Sequence, residues 1–207
     1  MPYPEIKYET PTLDTYYDFV SIIDGLNVSD RSSFRISQEI NKLFTHQGLP
    51  TRLINVNSKA EFEKELKELL TIAKSGKKFL IHIVAHGNKQ GVEAGSEFIS
   101  WGDITSYLQD INEATENSLI LNMSTCKGLF GAWTTPLQGK YPFFGLIGAK
   151  EDLFVNDALR ANTIMYKKWL LGLPIEKLVP ETNLEIGREV LFNLSAEGFR
   201  KLVLEKH

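Results

Sequence analysis

Residues 79–91 read FLIHIVAHGNKQG, an apolar run that reaches a His-Gly pair and then breaks into a loop. Residues 118–128, SLILNMSTCKG, end in the same way, and the residue before their loop is Cys126, the only cysteine in the chain. Short apolar runs bounded by turn signals are typical of buried strands. The two runs therefore predict two strands, with His86 at the carboxyl end of the first and Cys126 at the carboxyl end of the second.

The sequence around these runs alternates strand patterns with helix patterns. Three more strands are predicted over 17–24, 51–56 and 143–150, and a hairpin with Gly95 in its turn is predicted over 91–101. Strands that alternate with helices form βαβ units, so we expect an α/β fold with a mainly parallel sheet.

The helical segments are predicted from apolar stripes and capping residues. Apolar stripes predict one helix that begins near Ile36 and two that follow the capping boxes at Ser58 and Ser100. A further helix is predicted over 156–172, and because it is apolar on most sides we expect it to be buried. Pro180 is expected to precede a last helix. Residues 25–33 are predicted to form a polar loop, and 199–207 to be helix or strand.

Length and composition exclude several classes of protein. The 207 residues show no linker, repeat or low-complexity tract, which predicts a single domain over 1–207 with an irregular lead-in over 1–16. The 23 basic and 26 acidic residues are well mixed, so no nucleic-acid footprint is visible. No apolar run approaches the ~20 residues of a membrane span. Because the start lacks a signal-peptide pattern and a lone cysteine suits a reducing compartment, we expect a cytoplasmic protein.

His86 and Cys126 together suggest covalent catalysis. Ligands of parallel sheets bind at the carboxyl ends of strands, where neighbouring strands lie about 5 Å apart. A thiolate is a strong nucleophile, and an adjacent imidazole can take its proton and later protonate a leaving amine. Gly87 permits a sharp turn, and the N–H groups of Gly87 and Cys126 could form an oxyanion hole.

Each candidate residue also has a structural reading. Free cysteines are often buried core residues, but Cys126 lies past the apolar run, among the polar and glycine residues of 124–128, which favours a nucleophile. His82 and His86 resemble a metal-ligand pair, yet four residues along a strand separate them by roughly 13 Å. We therefore predict that His82 is a buried, hydrogen-bonded histidine and that no metal takes part.

The motifs IHIVAHGN, ISWGDI and LILNMSTCKG resemble those of the caspase-like (clan CD) cysteine peptidases, a group that includes caspases, metacaspases, clostripain-type enzymes and bacterial CHAT peptidases. The similarity runs from about residue 17 to about 179, and its pattern is closest to the bacterial CHAT domains. It implies a caspase-like fold, a three-layer α-β-α sandwich with a small β-hairpin after strand 3. It also implies endopeptide hydrolysis through a thioester, without a cofactor, with His86 as base and acid and Cys126 as nucleophile.

The residues that would select the substrate depart from the patterns of this group. Metacaspases and clostripain-like enzymes have an acidic residue two positions before the cysteine, where this chain has Ser124. Caspases bind an acidic P1 side chain with an arginine in the loop after the first strand, and that loop here contains Asp24, Asp30, Arg31 and Arg35. Ser124, Asp24, Arg31 and Arg35 are the candidate substrate-binding residues. For the four charged residues of the loop, solvated loop charge or helix capping is the reading we favour.

The segment 128–142, GLFGAWTTPLQGKYP, is long for a connection between strands. By the resemblance it would border the substrate groove and could serve as an activation loop. The alternative is an ordered loop in which Trp133 packs on the core.

Three other functions compete with a peptidase. A catalytically silent caspase-like module for protein binding is the nearest, since no carboxylate is obviously placed to orient His86. A receiver-like domain would use Asp24 and Lys150, but His86 stands where its phospho-acceptor aspartate should be. A nucleotide-binding module would need a glycine-rich turn, which residues 24–33 lack. For a peptidase we expect protein or peptide substrates, with control by a partner protein, a homo-oligomer or self-cleavage.

Overall fold

The structure, a computed structural model, describes residues 16–205, so the predicted lead-in falls almost wholly outside it. The strands of the described residues are β1 (Phe19–Asp24), β2 (Thr51–Asn55), β3 (Phe79–Val84), β4 (Gly91–Ala94), β5 (Glu97–Ser100), β6 (Ile120–Ser124), β7 (Gly145–Gly148) and β8 (Phe192–Ser195). The helices are α1 (Val28–Phe34), α2 (Ile36–His46), α3 (Lys59–Lys74), α4 (Trp101–Ala114), α5 (Val155–Leu170), α6 (Ile175–Ile186) and α7 (Ala196–Glu205).

Six of the strands form one sheet in the order β2-β1-β3-β6-β7-β8. All neighbouring pairs are parallel except β7 with β8, and β4 and β5 form a separate antiparallel hairpin. The first strand, β1, has β2 on one side and β3 on the other, so the strand order changes direction at β1. The predicted mainly parallel sheet with a hairpin after strand 3 is confirmed.

Helices cover both faces of the sheet, which gives three layers. Alternate side chains of a strand point to opposite faces. Ile81 and Ile83 therefore share one apolar cluster with side chains of α3, α4 and α7. Leu80 lies on the other face, in a cluster with side chains of α2, α5 and α6. The two clusters hold the carboxyl ends of β1, β3 and β6 at one edge of the molecule.

Two local predictions are wrong. The predicted polar loop 25–33 contains α1, because the side chain of Asn27 caps that helix by accepting a hydrogen bond from the Asp30 N–H. Pro180, expected before a helix, lies inside α6, which begins after Pro174. Burial of Leu178 and Val179 against the sheet offsets the hydrogen bond that a mid-helix proline lacks.

The C-terminal elements agree only in part with the prediction, which left helix and strand open for 199–207. Helix α5 is not buried on most sides: it buries a single stripe that includes Ala158, Met165 and Tyr166 and leaves its outer face to solvent. The tail forms α7, and the short antiparallel strand β8 before it had no clear sequence signal.

Candidate active site

The ends of β3 and β6 bring His86 and Cys126 to the same edge of the sheet. Val84 pairs with Ser124, and the two candidate residues each lie two positions beyond that pair. A Cβ atom on Gly87 would lie 2.9 Å from the carbonyl oxygen of Cys126, which shows how closely the two loops pack. The close approach requires glycine at this position.

The imidazole of His86 has a carboxylate partner. Its Nε2 lies 2.8 Å from Oδ2 of Asp30, and the His86 side chain is 44% exposed. Phe34, one turn further along α1, presents its ring to the imidazole in an edge-on arrangement with 6.5 Å between ring centroids. Helix α1 therefore contacts the histidine through two side chains.

Asp30 is itself fixed at the start of α1. The side-chain amide of Asn27 donates to Oδ2 of Asp30 at 2.6 Å. The hydrogen bond with His86, followed by the one from Asn27, lowers the pKa of the Asp30 carboxyl below its usual value. The sequence contained the capping pair Asn27 and Asp30 but gave no sign that the carboxylate would reach His86.

The thiol of Cys126 lies against the chain that follows β7. The N–H of Leu153 donates to Sγ at 3.3 Å, and the carbonyl oxygen of Leu153 is 3.8 Å from Sγ. Lys127 holds this chain in place, through its N–H to the carbonyl oxygen of Glu151 and through an ion pair with Asp152. Over residues 16–205, no hydrogen bond joins Cys126 to His86 directly.

The two amides expected to form an oxyanion hole lie in the loops that follow β3 and β6. The loop after His86 is closed by a hydrogen bond from the Asn88 N–H to the Gly91 carbonyl oxygen at 2.9 Å. Neither the N–H of Gly87 nor that of Cys126 takes part in a hydrogen bond in the part of the chain that the structure describes. Both N–H groups thus lack a protein acceptor among residues 16–205, and their role as an oxyanion hole stays a prediction.

Asp24 and Arg31 form an internal ion pair rather than solvated loop charges. Asp24 is 1% exposed, and its Oδ1 lies 3.3 Å from Nε of Arg31. The contact is an ion pair whose angle does not fit a hydrogen bond. Ser37 donates to the other carboxylate oxygen, and Arg31 donates to main-chain carbonyl oxygens, among them that of Leu26 at 2.6 Å. The expectation that both charges stay in water is wrong, because burial with partners satisfies them.

Ser124 and Arg35 lie in different surroundings. Ser124 is 4% exposed, and its hydroxyl accepts a hydrogen bond from Asn162 at 3.0 Å. Arg35 is exposed at the joint between α1 and α2, where it has a φ of 53° and an ion pair of 3.9 Å with Glu39. Substrate binding by these residues and by Asp24 and Arg31 stays a prediction.

His82 is buried and hydrogen-bonded, as predicted. Its Nδ1 lies 2.7 Å from the hydroxyl of Tyr166, and burial lowers the pKa of His82 to about 3. Asn122 donates to the same hydroxyl and to Asn162, which in turn donates to Ser124. These hydrogen bonds form a polar network on the face of the sheet that α5 covers. The network extends from His82 to Ser124, two positions before Cys126.

The connection 128–142 begins with a 3₁₀ helix, Gly128–Thr134. Trp133 in this helix packs edge-on against Phe199 of α7, with ring centroids 5.0 Å apart. This contact supports the alternative of an ordered loop anchored on the core. A role as an activation loop stays a prediction.

Two kinds of feature are absent from residues 16–205. No group of three or more His, Cys, Asp and Glu side chains there is arranged to hold a metal ion. None of the helices described has the length and apolar character needed to cross a membrane.

The fold matches that of caspase-1 from Spodoptera frugiperda, with a TM-score of 0.60 over 87% of each chain and a sequence identity of 10%. No protein-family model and no curated protein sequence matches the chain. Identity this low shows the fold and not the activity, and the closer resemblance to bacterial CHAT domains stays a prediction. The chain therefore has a caspase-like fold.

Proposed function

We propose that this chain is a cysteine endopeptidase in which His86 and Cys126 form the catalytic dyad. The observation that carries the proposal is the placement of both residues two positions beyond the paired residues Val84 and Ser124, at adjacent strand ends. The close packing of Gly87 on the Cys126 loop and the absence of a protein acceptor for the two amides support the same reading. A caspase-like fold is typical of cysteine peptidases, and protein substrates fit it.

The reaction follows from the chemistry of these groups. His86 takes the proton of the Cys126 thiol, and the thiolate attacks the carbonyl carbon of the scissile peptide bond. The N–H groups of Gly87 and Cys126 donate to the oxyanion that forms. His86 then protonates the leaving amine, and the C–N bond breaks to leave a thioester. Finally His86 removes a proton from water, whose oxygen attacks the thioester, and the carboxylic acid product and the free thiol are released.

Access to the thiol is where control by a partner, a second copy or self-cleavage would act. The main chain at Leu153 lies against Sγ, and Lys127 secures it through Asp152. A substrate carbonyl has to approach the sulfur beside this segment. The expectation of control, like that of a cytoplasmic location, belongs to this proposal.

The test is intact-mass analysis of the protein after treatment with acyloxymethyl ketone peptides that carry Arg, Asp, Leu or Met at P1. We expect a single adduct in the wild type, its loss in Cys126→Ala and its suppression in His86→Ala. His46→Ala is the matched control, since His46 is exposed on α2, and should react as the wild type does. A peptide library digested in parallel should show internal cleavage.

Two results would contradict the proposal. One is an adduct that persists in Cys126→Ala. The other is a wild type that reacts with no ketone, alone or with a candidate activating protein, although iodoacetamide alkylates Cys126. The second result would favour the silent module used for protein binding.

A further inference from the structure

We infer that Asp30 is a positioning residue, which holds the imidazole of His86 by its Nε2 so that Nδ1 is the nitrogen that serves Cys126. This inference rests on the proposed dyad and deepens it. The observation behind it is the 2.8 Å contact between Nε2 of His86 and Oδ2 of Asp30, across 56 positions of the chain. Asp30 would touch neither the substrate nor the thiol and would act only through His86.

The direction of the hydrogen bond follows from the charge of Asp30. The pKa of this carboxyl is lowered, chiefly by the hydrogen bond with His86, so it is ionised at neutral pH. An ionised carboxylate can only accept hydrogen bonds, and so Nε2 must carry the hydrogen. In a neutral imidazole the lone pair then lies on Nδ1, which is the form needed to accept the proton of a thiol.

Helix α1 makes the orientation specific. Asp30 stands at the third position of α1, where the side chain of Asn27 both caps the helix and donates to the carboxylate. Phe34 follows four residues later on the same helical face and packs its ring edge-on to the imidazole. One side chain fixes the nitrogen and the other limits rotation of the ring.

Two alternatives give different outcomes for an Asp30 variant. Asp30 could serve only the start of α1, in which case its loss would affect folding but not His86. It could also draw His86 away from Cys126 and keep the dyad apart, in which case its loss would speed the reaction of the thiol. The positioning role predicts slower reaction and a changed distribution of the imidazole proton.

The experiment compares wild type, Asp30→Ala, Asp30→Glu and Asp103→Ala. Asp103 occupies the same third position in α4, with the capping residue Ser100, and is therefore the matched control for lost capping. Two quantities are measured at neutral pH: the rate constant of Cys126 with the most reactive peptidyl ketone, and the tautomer of His86 from the ¹⁵N shifts of its ring. A His86→Gln variant assigns the signals among the four histidines of the chain.

We expect His86 of the wild type to carry its hydrogen on Nε2. In Asp30→Ala the tautomers should mix and the rate constant should fall by at least about tenfold. Asp30→Glu should restore part of the rate, and Asp103→Ala should match the wild type in both quantities. The tautomer is measured without substrate, so it tests the role of Asp30 even if no ketone reacts and the peptidase proposal fails.

The inference is overturned if Asp30→Ala keeps the Nε2–H tautomer. It is also overturned if the rate constant of a folded Asp30→Ala protein stays within about twofold of the wild type. An increased rate would show that the ion pair keeps the dyad apart.

Discussion

The two histidines of the β3 region lie four residues apart and have opposite surroundings. His82 is fully buried in the middle of the strand, where it shares the hydroxyl of Tyr166 with Asn122. His86 lies just past the strand, 44% exposed, with the carboxylate of Asp30 on Nε2. One residue type has thus become part of the core at the first position and part of the candidate site at the second.

The difference shows what the end of a parallel strand provides. Inside the sheet, burial lowers the pKa of His82 to about 3, so this imidazole stays neutral and does not take up a proton near neutral pH. At the strand end the chain leaves the sheet, and loops from other strands supply a charged partner and solvent access. Replacing each histidine should therefore affect a different property of the molecule.

The largest effect is expected from His86→Ala. It removes the proposed base, so the rate constant of Cys126 with a peptidyl ketone should fall by about 10²- to 10⁴-fold. Because the side chain is half-exposed, the free energy of unfolding should change by no more than about 0.5 kcal/mol. Ketone kinetics and urea unfolding measure the two quantities, and an equal loss of rate in His82→Gln would break the comparison.

His82→Ala should show the opposite behaviour. It leaves a cavity in the core and takes away a hydrogen-bond partner of Tyr166, which should lower the free energy of unfolding by about 2–4 kcal/mol. The rate constant per folded molecule should stay within about twofold of the wild type, because His82 touches neither reacting group. Urea unfolding tests the first statement, and Tyr166→Phe, which removes the hydroxyl alone, should cost less than His82→Ala.

The stability of the wild type should depend on pH through His82. Its pKa is about 3 in the folded chain against 6.5 for the free side chain, so below pH 6.5 the unfolded chain binds a proton that the folded chain does not. Stability from this group is complete above pH 6.5 and is lost as the pH falls toward 3, by up to about 1.4 kcal/mol per pH unit.

The measurement is the difference in the free energy of unfolding between the wild type and His82→Gln at several pH values. Carboxylates common to both proteins cancel in that difference. A difference that stays constant from pH 7 to pH 4.5 would contradict the low pKa of His82.

The smallest effect is expected from Asp152→Asn. It removes the ion pair with Lys127 that holds the Leu153 segment against the thiol. Asp152 is 68% exposed, so the free energy of unfolding should change by less than about 1 kcal/mol. The rate of alkylation of Cys126 by iodoacetamide should rise a few-fold as the segment loosens. Asp110→Asn, at another exposed pair with a lysine, should leave that rate unchanged.

The sequence predicted the sheet and the two strand ends because long-range packing leaves a local trace there. A strand buried on both faces is mostly apolar, so the strands over 79–84 and 120–124 could be predicted, and with them the positions of His86 and Cys126 just past the strand ends. The hairpin could be predicted for a different, local reason, since its turn has a φ of 63° at position 95, a conformation that favours glycine.

Helix α1 and the partner of His86 could not be read in the same way. None of the residues of α1 is buried, so the helix has no apolar stripe and depends on the Asn27 cap and on the contacts of Arg31 with carbonyl oxygens. Asp30 and His86 are 56 positions apart, and only the order of strands in the sheet brings them together. Strand β8 was missed because its four residues pair at an edge that tertiary contacts define.

The parallel order of β1, β3 and β6 has a consequence for how the chain folds. Asp30, His86 and Cys126 come from three separate connections, and each pair meets only after a helical crossover has closed. Contacts so distant in sequence form late, because the entropy of closing long loops is lost before the contacts are gained. A chain still emerging from the ribosome therefore cannot assemble the proposed dyad until β6 has joined the sheet. A thiol with the proposed peptidase chemistry would appear only in molecules in which β1, β3 and β6 are already paired.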